Sequence, residues 1–289
     1  LPRSILPLGI LLILINLGYT FSASAFIGEK GVAMWLATSW YLAVTALFFA
    51  IALNTNTEAR LDALLRGCLI GGIIASLVAI LGYFCVIPGA DDLLIFNSRA
   101  RGTFKDPNVL GAFLVLPGLI ALQRIITGKV VQAIWSAILL GLIVVAILLS
   151  FSRGAWAQIV YTALVLLGLT FLTSRSPAQR LRIVLLSVAG AACITMLIAA
   201  LLSMDIVAKL FEERASLNQS YDVGAQGRFA RHSMGAILAL DKPFGIGPLQ
   251  FNTYFTEDPH NSFLNAFMAG GWLSGACYPA VVILTLVFG

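Results

Sequence analysis

The chain has 289 residues, 60% of them hydrophobic and 11% charged, with a mean hydropathy of +0.95. A soluble domain carries about 25% charged residues, so a soluble fold is excluded and the chain is read as a membrane protein. The net charge of +5 is assigned to topology and lipid-headgroup contact; it gives no support for nucleic-acid binding.

A helix needs about 20 apolar residues to cross a bilayer. On that measure the chain offers eight spans: Ile5–Phe26, Gly31–Leu53, Leu64–Ile87, Val109–Ile126, Val130–Ser150, Gly154–Thr173, Ile183–Ser203 and His260–Phe288. Continuous apolar runs of this length rule out barrel strands, so the fold class is an all-α polytopic membrane protein. The organisation expected is a block of seven spans over residues 1–203, with an outer basic loop at 88–108. A long, partly helical loop at 204–259 and a last span at 260–289 follow.

Arg3, an apolar core and Ser22-Ala23-Ser24-Ala25 imitate a signal peptide. Because the chain opens at Leu1 and closes inside an apolar run at Gly289, the expectation is instead an excerpt of a longer protein lacking terminal helices.

Placing Arg3 on the cytoplasmic side puts Arg60, Arg66, Arg124, Lys129, Arg175, Arg180 and Arg182 in inner loops, with Glu58 and Asp62 as the only acids there. Short loops rich in Lys and Arg stay inside, so both histidines, His232 and His260, fall on the outer face. Cys68, Cys85, Cys193 and Cys277 all lie in apolar runs without metal-ligand spacing and are read as packing residues. No P-loop motif is present, and Gly67-Cys68-Leu69-Ile70-Gly71 is read as a site of close helix approach. Glu29 and Lys30 are taken as solvated residues of a tight outer turn.

Polar residues gather in three islands. The first ends with Arg99-Ala100-Arg101-Gly102-Thr103-Phe104-Lys105-Asp106-Pro107-Asn108. Three cations near headgroup level make an anion cradle, since Arg gives bidentate contacts to phosphate oxygens; the plain alternative is a basic interfacial loop. Asp106-Pro107-Asn108 is a helix-start signature. The second island is Ser150-Phe151-Ser152-Arg153-Gly154-Ala155-Trp156, so short that Arg153 sits at the membrane boundary. A charge there is functional by default, with snorkelling to the interface as the alternative.

The third island, residues 204–259, is too long for a plain connection. It holds Arg214, then Arg228 with Arg231 and His232 at i+3 and i+4, which one helix face can carry together. Met234–Leu240 reads as an amphipathic or half-inserted helix, and Asp241–Pro248 as a Gly/Pro turn. Phe251, Tyr254 and Phe255 are suited to the interface or to stacking on a sugar. The island ends at Asp258-Pro259-His260-Asn261-Ser262, where the chain concentrates its capacity to accept a proton near neutral pH.

Boundary arginines, a basic cluster and a histidine on one non-cytoplasmic face suit a lipid-linked diphosphate substrate. Fixed positive charge favours departure of the diphosphate. A histidine within hydrogen-bond reach is a suitable base for an attacking hydroxyl.

In their order and membrane depth, Arg101-Gly102-Thr103-Phe104 with Asp106-Pro107-Asn108, Ser152-Arg153-Gly154-Ala155, Gly245-Ile246-Gly247-Pro248, and His260-Asn261-Ser262-Phe263-Leu264 with Gly270-Gly271 resemble the O-antigen ligase and O-antigen polymerase superfamily. The resemblance spans Arg99 to Gly275. It implies an inverting, metal-independent glycosyltransferase of the bacterial inner membrane, without cofactor, its active site and its long loop on the periplasmic face. The donor implied is an undecaprenyl-diphosphate-linked glycan, and the acceptor lipid A core or a polysaccharide. By motif, Arg101 and Arg153 would hold the diphosphate and His260 would activate the acceptor hydroxyl. Lys105, Arg214, Arg228, Arg231 and Asn261 stand in second rank.

Polymerases of the superfamily carry an Arg, ten residues, then Gly in paired outer loops. That spacing starts from none of Arg99, Arg101, Arg214, Arg228 or Arg231, which favours a ligase over an O-antigen polymerase and leaves exopolysaccharide polymerases and protein-O-glycosylating transferases open. A transporter of lipid-linked glycan is the rival class. Against it, the spans hold almost no ionisable residues at mid-membrane depth.

Overall fold

A segment crossing hydrocarbon must satisfy its backbone internally, and this chain does so with helices. The computed structural model describes residues 5–86, 88–215 and 227–288, apart from the side chains of Asp91, Ile206, Arg214, Ala215, Arg228 and Phe288. In chain order the elements are α1 (Ile5–Ala23), α2 (Val32–Ala52), α3 (Thr57–Tyr83), the single turn α4 (Asp91–Leu94), β1 (Ile95–Phe96) and β2 (Arg99–Ala100). Then come α5 (Pro107–Thr127), α6 (Val130–Leu149), α7 (Arg153–Thr173), α8 (Pro177–Leu202), α9 (Asp205–Ala215), α10 (Arg228–Asp241) and α11 (Ser262–Phe288). The chain is an all-α polytopic membrane protein: eight of the described helices are long and apolar enough to cross a bilayer, and they coincide with the eight expected spans. Only α3 and α8 start much earlier, at Thr57 and Pro177. Their polar first turns, with an exposed Asp62–Arg66 pair in α3, continue the helix beyond the hydrocarbon.

The described chain forms two compact units, Leu1–Arg60 with Asn218–Gly289, and Leu61–Leu217. In the first, α1 and α11 meet through small residues. Ser274 Oγ donates to the Ile15 carbonyl at 2.7 Å, and a Cβ on Gly18 or Gly270 would come within 2.2 Å of that hydroxyl. Close approach through small side chains drives helix association where both partners are already in an apolar medium. Asn16, buried in α1, receives a hydrogen bond from Ser39 of α2 at 2.8 Å and donates to the Leu12 carbonyl at 2.9 Å, so its amide is satisfied.

Helix α11 is interrupted at Gly271 (φ 69°, ψ −163°). The loop after α10 fills the gap: Ile246 N donates to Met268 O at 2.7 Å, and Trp272 N donates to Pro243 O at 2.9 Å. A broken helix leaves orphan backbone groups, and here the loop supplies their partners. The glycines of the expected Gly/Pro turn are what permit it. A Cβ on Gly245 would lie 2.7 Å from Gly271 N, and one on Gly271 would lie 2.2 Å from Pro243 O. Glu29 is exposed in the α1–α2 turn, as expected, and there it accepts a hydrogen bond from the buried amide of Gln250, bracing the turn against this loop.

In the second unit α5 is the central span, buried over 56% of its most apolar stretch, against 6% for α7 and α8. The expected close approach at Gly67 and Gly71 falls one residue later. Gly72 faces Pro117 of α5, where a Cβ would come within 2.6 Å, whereas a Cβ on Gly67 would meet nothing within 4 Å. Cys85 and Cys193 are exposed and do not serve core packing; Cys68 and Cys277 are half-buried.

A Gly271→Ala substitution is expected to lower stability by at least ~2 kcal/mol, since it adds a positive-φ penalty to a collision with Pro243 O. Gly141→Ala, with open space around the new methyl group, is expected to leave it unchanged or slightly higher. Thermal unfolding of both variants in detergent checks the pair.

Candidate functional site

In the first unit the chain from Thr256 to Ser262 runs between α10 and α11. Asn261 begins α11: its Oδ1 accepts from Phe263 N at 3.0 Å and Leu264 N at 3.1 Å. An Asn at this position satisfies two of the four orphan N–H groups of a helix start. The residue before it, His260, is exposed and has a left-handed backbone (φ 46°). It lines a cavity of about 250 Å³ with Asp258, Asn261, Asn265 and Trp35, above Phe251 and Met268. The cavity thus offers an imidazole, a carboxylate and two amides beside an aromatic wall, a mixture able to accept and donate hydrogen bonds to hydroxyl groups.

Helix α10 flanks this segment. Arg231 is buried, and its guanidinium donates to Glu257 at 2.7 Å and to Thr256 Oγ1 at 3.1 Å. His232 Nε2 is hydrogen-bonded to the Pro259 carbonyl. Gly235 lets α10 settle on Leu264 and Phe251. Of the aromatic trio singled out in the sequence, Phe251 is buried and packs on Phe255 with ring centroids 4.5 Å apart; Tyr254 is exposed. Phe251 and Phe255 are therefore core residues of this unit.

In the second unit the structure joins the first two islands. Asn97 and Ser98 both have positive φ (49° and 58°), giving the tight turn that pairs β1 with β2. That hairpin aims Arg99 inward. Only 8% exposed, Arg99 donates through Nε to the Ser150 carbonyl at 2.8 Å and through Nη2 to Asn108 Oδ1 at 2.8 Å. It therefore ties the start of α5 to the turn between α6 and α7. Gly111 seals the junction, since a Cβ there would lie 2.6 Å from Ala155.

Both helix starts are capped, α5 by Asp106 through Asn108 N at 2.7 Å and α7 by Ser152 through Ala155 N at 3.3 Å. Arg153 is the first residue of α7 and is half-buried, so a guanidinium and the positive end of a helix dipole coincide. Arg101 is half-buried as well. It donates to Asp92 O at 2.7 Å and to Leu93 O at 3.1 Å, and its guanidinium stands 5.6 Å from the Phe96 ring centre. Lys105 is exposed. The side chains of Arg214 and Arg228, both second-rank candidates, lie outside the described residues. Sequence reasoning missed the Arg99 tie, because nothing local to Arg99 announces a partner 51 residues away. It also missed Trp35, which lies on a helix that the sequence marks only as a span.

Residues 137–278 match the family model of the O-antigen ligases. This segment, just under half of the chain, supports the O-antigen ligase-like superfamily. No curated protein and no solved structure matches the chain. Members of this superfamily are glycosyltransferase-like enzymes, ligases or polymerases, working on lipid-linked glycans and polysaccharides. The O-antigen ligase segment takes in Arg153, Arg231, His260 and Asn261, whereas Arg101, Lys105 and Trp35 precede it. Among the described residues no three His, Cys, Asp or Glu side chains are grouped to hold a metal ion.

Replacing Arg99 by Met is expected to cost about 2–3 kcal/mol of stability, the worth of a charge-assisted hydrogen bond plus a carbonyl left buried. Thermal unfolding of the purified variant, with proteolysis at the 96–108 loop as second readout, tests this.

Proposed function

We propose that this protein is an inverting, metal-independent glycosyltransferase that moves a glycan from an undecaprenyl-diphosphate carrier to an acceptor hydroxyl, as an O-antigen ligase does. The reading places it in the bacterial inner membrane, reacting at the periplasmic face, with lipid A core or a polysaccharide as acceptor and no cofactor. The observation that carries it is His260, exposed at a polar cavity inside the O-antigen ligase segment.

In the proposed reaction the acceptor oxygen attacks the anomeric carbon from the face opposite the diphosphate. The new C–O bond forms as the bond to the diphosphate breaks, and the hydroxyl proton passes to the His260 imidazole. Undecaprenyl diphosphate leaves with the bonding electrons. Within the second unit the proposal gives diphosphate binding to Arg101 and Arg153. The capped start of α7 adds N–H groups and dipole to the Arg153 charge, which favours a growing negative charge on the leaving group. Lys105 and Asn261 keep subordinate roles, Asn261 chiefly as the helix cap that fixes its neighbour.

The test incubates the purified protein in detergent with an undecaprenyl-diphosphate glycan, lipid A core and EDTA. A lipopolysaccharide product of higher mass is expected, and its formation should fall at least ~100-fold in His260→Ala and in Arg153→Ala without loss of membrane insertion. Chains lengthening on the lipid carrier instead would identify a polymerase. Absence of covalent product with any acceptor would refute the enzyme. Trp35→Ala, which strips the aromatic wall from the cavity, is expected to raise the KM for a sugar-bearing substrate roughly fivefold with little change in kcat.

A further inference from the structure

Arg231 and His232 are neighbours on α10, and both grip the same short stretch of chain. The Arg231 side chain is 6% exposed, and its two terminal nitrogens hold Glu257 and Thr256. His232 holds the carbonyl of Pro259. A carbonyl only accepts, so the His232 Nε2 carries the proton. On the other side of His260, Asn261 is fixed by capping α11. His260 is thus a single residue between two anchored points, with a φ of 46°. A non-glycine residue in this region is strained and stays there only when its surroundings impose it.

We infer that Arg231 and His232 are positioning residues: together they clamp the Thr256–Pro259 segment so that His260 is presented to the cavity in one orientation. The inference rests on His260 being the base of the reaction proposed above. It gives Arg231 the task of holding a loop in place of binding diphosphate, since its buried guanidinium is already matched by a carboxylate. It gives His232 a role as donor, distinct from proton acceptance. Such a clamp matters to rate because displacing a catalytic group by about 1 Å can cost on the order of 100-fold.

The test uses the whole protein in detergent and four variants, His232→Leu, His232→Gln, Arg231→Leu and Glu257→Gln, each read by hydrogen exchange over residues 256–263 and by transferase kinetics. The two Leu variants are expected to exchange about tenfold faster in this segment and to lose at least tenfold in kcat, with KM for the donor unchanged. His232→Gln, whose amide can still donate to Pro259 O, is expected to recover the exchange rate and most of kcat, with the wild-type pH profile. Glu257→Gln alters the contact from its exposed side, where the fold is not at risk, and is expected to raise exchange about threefold.

Unchanged exchange in both Leu variants would overturn the clamp. A His232→Gln protein with wild-type exchange but activity as low as His232→Leu would overturn the positioning role, because His232 would then be handling a proton. If the wild type forms no product while exchange follows the expected pattern, the clamp stands and the proposed reaction falls.

Discussion

The first unit is organised by a pair of backbone hydrogen bonds inside a membrane span. Ile246 N to Met268 O and Trp272 N to Pro243 O join a loop to the two sides of a broken helix. The interrupted α11 has peptide groups that hydrocarbon cannot solvate, and the loop supplies their partners. Paired, they fix where α10 ends and where the chain re-enters α11. Gly235, Phe251, Leu264 and Met268 then pack as a consequence of that register, and the Thr256–Ser262 segment has only a short span of fixed ends to bridge.

The second unit solves a related problem with a charge. Arg99 is buried among polar backbone and amide oxygens, and its planar donors reach two helix boundaries at once. What results is a rigid platform made of helix starts, where caps and dipoles are oriented in common. Arg153 stands at one of those starts by virtue of being the first residue after a cap. Such a construction supplies positive potential from the backbone as well as from side chains, a favourable design where water is scarce.

Much of this was legible in the sequence. The eight spans were readable because hydrocarbon imposes one rule on every residue of a segment, and apolar length reports it directly. The cap at Asp106 and the turn around Gly245 and Gly247 were readable for the same reason: local chemistry decides them. What stayed hidden depends on partners distant in the chain. The hairpin at Asn97-Ser98 lacks the glycine that usually signals such a turn, so Arg99 gave no hint of facing inward. Glu29 and Gln250 are 221 positions apart, and Arg231 looks like any loop cation until Glu257 is placed beside it. The exposed cysteines, Cys85 and Cys193, were misread because apolar composition does not distinguish a core from an outward surface.

The uneven burial of the spans has an evolutionary consequence. Helices α2, α7 and α8 are each buried over only 6% of their most apolar stretch, with side chains such as Tyr41, Leu164 and Val188 facing outward. Lipid tails accommodate almost any apolar shape, so selection on these surfaces acts on hydrophobicity far more than on identity. Gly72, Gly111, Gly270 and Gly271 have no such freedom, because each sits where a single added carbon would collide. Apolar exchanges on the outward faces are therefore expected to leave the fold intact, where one added methyl group at any of these glycines is not.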